Sequence, residues 1–418
     1  MTVLLGDNII SALGFTAEEN YRNVKQGVCG LTFFADRYGL QEPFMASEID
    51  GDRLDRAFDE ISAAFSGRAG LAAKAELSSA KAGLAGTPTS VVRRPTAGPN
   101  YSRLEKAAIV SVAGALKGTG IDPSDEDVLF VLSTTKGNVF LLNENEREGY
   151  EPEQLYLWRS AELIARFFGN ANRPMVLSNA CISGVSAMIA AQRELRSGRY
   201  GYAVVTGVDT LSEFIVTGFQ SFKALSQEVC KPFDANRTGL NLGEAAATVI
   251  MTERPENELQ DGDVVLTAGA MRNDANHISG PSRTGEGAYL ALRKVMEGVD
   301  PDEIAFVCAH GTATLYNDEM ESVALTRAGL QHVPVNSLKG YFGHTLGAAG
   351  IMESIISVRA LKDKTLPGTY GFEMPGVTNP LDIITENRST DRQHCIKMLS
   401  GFGGCNAAAL FTVWGIKN

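Results

Sequence analysis

"VLSNACISG" (Val176–Gly184) sets the end of a strand-forming run against a corner of small residues, with a cysteine at the turn. Ser183 and Gly184 then read as the opening of a helix. A thiol at such a corner can simply fill space, because free cysteine is among the most buried residue types. A thiol at the first turn of a helix can also be chemical, since the positive end of the helix dipole draws it towards thiolate. Both readings of Cys181 stand on this stretch alone.

Working outward, further apolar, β-rich runs occur at 128–135, 202–209, 245–251, 303–310, 333–340, 396–404 and 408–415. They lack polar/apolar alternation, as expected of strands buried on both faces. Helical patterns lie between several of them. Residues 185–198 place Val185, Met188, Ile189 and Leu195 on one side and end at Gly198, and 350–363 repeat the pattern. Buried strands alternating with helices predict an α/β fold with layers of helix around sheet. A strand–glycine turn–helix unit recurs in each half of the chain and hints at two related halves, although their sequence similarity is too faint to prove a duplication.

Composition narrows the class. The chain has 418 residues, 44% hydrophobic and 21% charged, an ordinary globular balance that allows two to three domain-sized units. A formal net charge of −11 argues against a nucleic-acid binder and leaves room for a local basic patch facing an acidic partner. No apolar run is long enough for a membrane helix, and the start, with Asp7 inside its apolar run, reads as a strand and turn rather than a signal peptide. The six cysteines show no CxxC pair, which fits reduced thiols in a cytoplasm better than a disulfide framework or a zinc site. One segment stands apart: 66–100 has no aromatic residue and carries five basic side chains against one acid, Glu76. A short helix over 71–84 followed by Pro/Thr/Gly loop is expected there, as a surface insertion or a partner-binding lid.

Two of the five histidines occupy unusual contexts. His310 follows a buried strand in "CAHGTATLYNDEMES", and His344 lies between glycines in "NSLKGYFGHTLGAAGIMES". Each alone reads equally as a hydrogen-bonded structural residue. Together with a helix-mouth cysteine they form the residue set that nucleophilic thioester or amide chemistry uses. The turn "GFGG" (401–404) offers backbone N–H groups for an oxyanion.

These segments resemble the β-ketoacyl-[acyl-carrier-protein] synthase family, elongating type, on the thiolase fold. "SNACISG" is similar to its cysteine elbow, "AHGTAT…ND" to its first histidine loop, "KGYFGHTLGAAGIMES" to its Lys–His–Glu segment and "GFGGCN" to its glycine turn. "GFQSFKALS" (218–226) and "KPFDANRTGLNLGEAA" (231–246) also match, in the family's order, while the first 125 residues match more loosely, mainly through "KQGVCGL" (25–31). The resemblance implies a layered αβαβα molecule with an N-terminal half (1–250) carrying the elbow and a C-terminal half (251–418) carrying the two histidines. It implies an acyltransferase that loads an acyl chain onto Cys181. Malonyl carrier protein then loses CO2, and the chain grows by two carbons, in fatty-acid or in polyene/polyketide synthesis. The N–H groups of Cys181 and Phe402 would form the oxyanion hole, and His310 and His344 would hold the malonyl carbonyl as N–H donors. Lys339 and Glu353 would orient His344, or serve only as a buried ion pair.

By the same resemblance, Thr312 and Thr314 would bond the phosphopantetheine arm, with His277 and Ser279 near its path. Phe219 and Phe402 would be gates, and Lys223 would meet an acidic acyl carrier protein. The enzyme would bind no metal and no cofactor of its own, and would form a dimer with a second copy or with a synthase-like partner. The pattern departs at "STTKGN" (133–138), where Lys136 would sit near the mouth of the acyl pocket, or point to solvent. At the mouth it would disfavour an ordinary saturated chain and make polyene or aryl-primed chains worth considering. Ala313 and Cys405 stand where Ser and Thr are more usual. Three rivals remain. A thiolase-type CoA acyltransferase would carry a second cysteine where Phe402 stands. An initiating synthase would carry Asn at His344. A non-catalytic chain-length partner would lack Cys181.

Overall fold

The computed structural model describes residues 1–40, 42–79, 99–278 and 280–415, with only the backbone given for 66–79. Ten strands form its main sheet: β1 (Thr2–Ser11), β2 (Val128–Ser133), β3 (Met175–Leu177), β4 (Tyr202–Asp209), β5 (Ala245–Glu253), β6 (Val264–Asn273), β7 (Ile304–Cys308), β8 (Val335–Asn336), β9 (His394–Gly401) and β10 (Cys405–Val413). Their spatial order is β8-β7-β9-β10-β6-β1-β5-β4-β2-β3. Taken five at a time from the chain, both sets adopt the order third, second, fourth, fifth, first. The directions repeat as well: second pairs with third and fourth in parallel, and fourth with fifth and fifth with first antiparallel. The two sets meet where β1 pairs antiparallel with β6, Thr2 opposite Leu266. This repeat of topology supplies what the faint similarity between halves does not.

Helices layer the sheet. Those introduced here are α1 (Gly51–Ser79), α2 (Arg103–Leu116), α3 (Leu157–Phe167), α4 (Ser183–Arg196), α5 (Glu213–Ser221), α6 (Glu286–Val295), α7 (Leu315–Arg327) and α8 (Ala349–Lys362). α2 and α3 share an outer core with Phe130, Leu132 and Ile250, while α6 and α7 cover the other half through Leu292, Met320 and Leu325. α4 and α8 are buried nearly all round, as helices in a middle layer must be. β2, β5 and β10 are buried on both faces, which accounts for their continuous apolar sequences. The short helix expected over 71–84 is instead the end of the longer α1, and residues 80–98 lie outside the described residues. All six cysteines are free. No helix among the described residues is long and apolar enough to cross a membrane.

The middle layer depends on two glycines. A Cβ on Gly350 would come within 2.5 Å of the Val185 nitrogen, and one on Gly184 within 2.9 Å of the Ile351 nitrogen. Backbone therefore meets backbone where α4 crosses α8, and neither side can yield by turning a rotamer. Gly350→Val is expected to destabilise the protein by about 3 kcal/mol. The check is the urea midpoint at unchanged m-value; a midpoint equal to wild type would show that the crossing has slack.

Candidate active site

The two third strands, β3 and β8, deliver the chemistry at equivalent places. β3 leads through Asn179 to Cys181 and α4; β8 leads through Lys339 and His344 to α8. The elbow is locked by Ser183, whose Oγ accepts from the Asn179 N–H at 2.7 Å and donates to the Ala180 carbonyl at 2.6 Å. Ala180 is forced to φ +46°, a left-handed conformation costly for a residue with a Cβ. Similar strain appears at Lys223, Ala275, Ala313 and Leu346, all beside the same cavity or the histidine turn, as expected of a site over-determined by its surroundings.

His344 reaches Cys181 directly: Nε2 lies 2.9 Å from Sγ, and both residues are buried. Its Nδ1 accepts from the Leu346 N–H at 3.3 Å. That bond assigns the proton of the neutral ring to Nε2, so the imidazole donates towards sulfur. Gly343, at φ +68°, lets the turn pass against the Leu242 carbonyl, where a side chain would collide. His310 follows β7, its ring edge-on to that of His344 with centroids 5.0 Å apart. Glu321 on α7 holds the His310 loop by accepting from the amides of His310 and Gly311, each at 2.7 Å.

Cys181, His310 and His344 offer ligand atoms within 4.8 Å of one another, a spacing that could suit a metal ion. The tautomer speaks against it. A metal-bound histidine donates its second ring N–H to an acceptor, whereas here the second nitrogen of His344 accepts. The set fits thiol–imidazole chemistry better.

Electrostatics in this pocket are governed by burial. Burial pushes the Cys181 thiol up to about 12, with neighbouring Cys405 adding to it and Lys339 opposing. The helix position alone suggests a low value; loss of water around the sulfur outweighs the dipole. Burial also holds both histidines well below their usual range, and the charges of Lys339 and Lys397 deepen this, so both rings are neutral at pH 7.

Lys339 and Glu353 form a fully buried ion pair and do not line the cavity. Glu353 has a second partner absent from the sequence reading: Lys397, on β9, lies 2.5 Å from its other oxygen. A lone lysine in the apolar run "HCIKMLSG" was the available signal. Asp209, at the end of β4, was also missed. It accepts from Thr134 Oγ1, the Thr135 amide and the Gly347 amide, and so ties the β2 turn to the His344 segment.

The cavity above the thiol has a volume of about 450 Å³ and is lined by Thr312, Thr314, Phe219, Phe402, His277 and Lys223, among others. The two threonine hydroxyls are 2.9 Å apart. Phe402 is 41% exposed and packs on Phe219 and on Phe222, an aromatic of the "GFQSFKALS" segment to which the sequence reading gave no role. Gly401 presses on the elbow: a Cβ there would come within 3.1 Å of the Cys181 nitrogen. His277 is exposed and accepts from the Gly280 amide through Nδ1, whereas Ser279 lies outside the described residues. Lys136 is exposed in the single chain and does not line this cavity. Cys405 lies beside the elbow, its thiol donating to the Phe402 carbonyl at 3.3 Å and the Asn179 carbonyl at 3.8 Å, but it does not line the cavity, which disfavours a second catalytic cysteine.

Comparison with known proteins matches this geometry. The family model "Beta-ketoacyl synthase, N-terminal domain" matches residues 94–257, and "Beta-ketoacyl synthase, C-terminal domain" matches residues 264–373. A putative polyketide beta-ketoacyl synthase 1 of Streptomyces halstedii is 28% identical over 344 residues, covering 74% of this chain and 82% of that protein. The 3-oxoacyl-[acyl-carrier-protein] synthase 2 of Vibrio harveyi is 31% identical over 253 residues, covering 57% and 61%. Among solved structures, a ketosynthase in complex with its chain length factor from Xenorhabdus doucetiae superposes with a TM-score of 0.80 at 23% identity, over 99% and 98% of the two chains. A beta-ketoacyl synthase from Burkholderia phymatum gives 0.79 at 24% identity, over 99% of each. With both halves matched in order around a buried Cys–His–His cluster, the chain belongs to the β-ketoacyl synthase family, acyltransferases of the thiolase-like fold.

Proposed function

We propose that the protein is a 3-oxoacyl-[acyl-carrier-protein] synthase in which Cys181 carries the growing chain and His310 and His344 run the decarboxylation. The observation that carries this reading is the 2.9 Å contact from His344 Nε2 to Cys181 Sγ at the floor of a lined cavity. In the first step the Cys181 sulfur attacks the acyl-carrier thioester. The new S–C bond forms, the carrier's pantetheine sulfur leaves, and the thiol proton of Cys181 ends on that sulfur. His344, already a donor, stabilises the charge on sulfur without acting as a base. The amides of Cys181 and Phe402 receive the carbonyl oxyanion, where one such donor contributes about 3 kcal/mol.

In the second step malonyl carrier protein replaces the first carrier. Its C–C bond to the carboxylate breaks, CO2 departs, and the electron pair becomes an enolate whose oxygen is held by the two neutral imidazoles. Positive imidazolium would quench that enolate by proton transfer; neutral N–H donors stabilise it and leave it nucleophilic. The enolate carbon attacks the acyl group, the C–S bond to Cys181 breaks, and the released thiolate takes a proton from water. Thr312 and Thr314 serve the pantetheine arm, and Phe219 and Phe402 open and close the way. Lys223, on the exposed rim, meets an acidic carrier protein.

The proposal includes a soluble cytoplasmic setting, no cofactor beyond the pantetheine carried by the partner, and the two halves 1–250 and 251–418 as its units. It also includes a dimer. Among the described residues β3 ends the sheet with one side unpaired and its residues only half-buried, an edge that a second chain can complete. The Xenorhabdus complex makes a chain length factor one model for that second chain, and a second copy is the other.

Intact-mass spectrometry with acyl carrier-protein thioesters is expected to show an acyl adduct on wild type that disappears in Cys181→Ala and persists in Cys405→Ala. Loss in Cys405→Ala would favour the thiolase reading instead. Loading only after addition of a second synthase-like subunit would make the dimer a heterodimer. Alkylation of Cys181 by iodoacetamide should climb roughly tenfold per pH unit between pH 7 and 10, since the thiol is held up at about 12; a plateau near pH 7 would mean a preformed thiolate. His310→Ala and His344→Ala should each slow malonyl decarboxylation by about 10²-fold or more.

A further inference from the structure

The lysine on β9 has no part in the chemistry proposed above, yet its surroundings are too particular for a filler. Lys397 is wholly buried, where an ammonium group survives only with several partners. Its Nζ donates to the Ala309 carbonyl at 2.8 Å and the Cys308 carbonyl at 3.1 Å, the last residues before His310. The same Nζ lies 2.5 Å from Glu353, which on its other side pairs with Lys339, five positions before His344. One side chain thus bridges the two segments that carry the histidines. It also changes the charge count, because a single carboxylate now answers two ammonium groups. We propose that Lys397 is a positioning residue for the His310–His344 pair: it fixes their relative placement and sets a second buried positive charge beside them.

The surrounding groups agree. After burial itself, Lys339 and Lys397 both disfavour a charge on His310 and on His344, and His344 adds to this at His310. Other ionisable groups around the cluster are Asp209, Glu321, Asp318, Cys308 and Cys405, with Arg237, Asp274, Lys223 and His277 on the cavity wall. Glu321 lies close enough to feel Lys397 and is itself raised to about 7 by burial and by Asp318. Glu321 can therefore put its own inflection into an activity profile near neutrality, so activity against pH alone does not isolate the histidines.

The test follows each imidazole separately, by C2–H deuterium exchange of the histidine peptides read by mass spectrometry across pH 5–9 on the full-length protein without substrate. In wild type both His310 and His344 are expected to titrate well below the ordinary imidazole range. In Lys397→Met both midpoints should rise by about one pH unit or more. Lys397→Gln, which keeps a donor for the Ala309 carbonyl but no charge, should behave like Met in this readout, and Lys397→Arg like wild type. Malonyl decarboxylation at pH 6 should fall about tenfold in the two neutral variants and less at pH 8. A wild-type histidine titrating near pH 6.5 would overturn the proposal without any variant having to fold. Unchanged midpoints in a folded Lys397→Met or Lys397→Gln would overturn it as well. The inference rests on the condensing-enzyme reading, but exchange is measured without substrate. Failure of acyl loading therefore sinks that reading, and unshifted histidines sink this one.

Discussion

The contact on which the site depends is the crossing of α4 and α8 at Gly184 and Gly350, where two backbones meet without intervening side chains. Each helix begins just after a third strand of its half, so the crossing sets how far apart the two turns lie. With glycine at both positions the helices close until Cys181 Sγ and His344 Nε2 are 2.9 Å apart. A methyl group at either glycine would force the helices apart or bend one of them. The thiol–imidazole contact would lengthen with it. The five-strand topology, repeated in order and direction, supplies the frame, and the glycine pair fixes its scale.

Within that frame the chemistry is set by dehydration more than by local charge. The dipole of α4 and the His344 donor both favour thiolate, yet the sulfur has lost almost all its water and keeps its proton. The same dehydration keeps the imidazoles neutral. A dry pocket of this kind carries little charge at rest and has donors aimed where charge will develop. That arrangement suits a reaction whose nucleophile is generated inside the site by loss of CO2, because preorganised donors need no reorganisation at that moment.

Much of this was legible in the sequence wherever a rare residue type coincided with a turn. Cys181, His310 and His344 each stand beside glycine or small residues at the end of an apolar run, and the structure brings all three together. The α/β layering was legible too, because doubly buried strands write continuous apolar runs. What escaped was whatever depends on long-range neighbours. Lys397 looked like an interruption in a strand, since nothing local says that Glu353 lies opposite. Asp209 looked like a strand end. The direction of the Cys181 shift was misread because a sequence displays the helix that follows a thiol but not the water the thiol loses. Lys136 drew attention because its "STTKGN" turn departs from the family's pattern, and in the single chain that side chain is exposed.

The two halves use the same scaffold positions for unlike ends, and the division has a physical logic. The turn after β3 carries Cys181, and the equivalent turn after β8 carries His344 against it. The turn after β7 carries His310, edge-on to His344. The turn after β2 is held instead by Asp209, whose carboxylate gathers the amides of Thr135 and Gly347 and thereby fastens one half's turn to the other half's histidine segment. The two third-strand turns thus carry unlike residues, Cys181 and His344, on one repeated strand order.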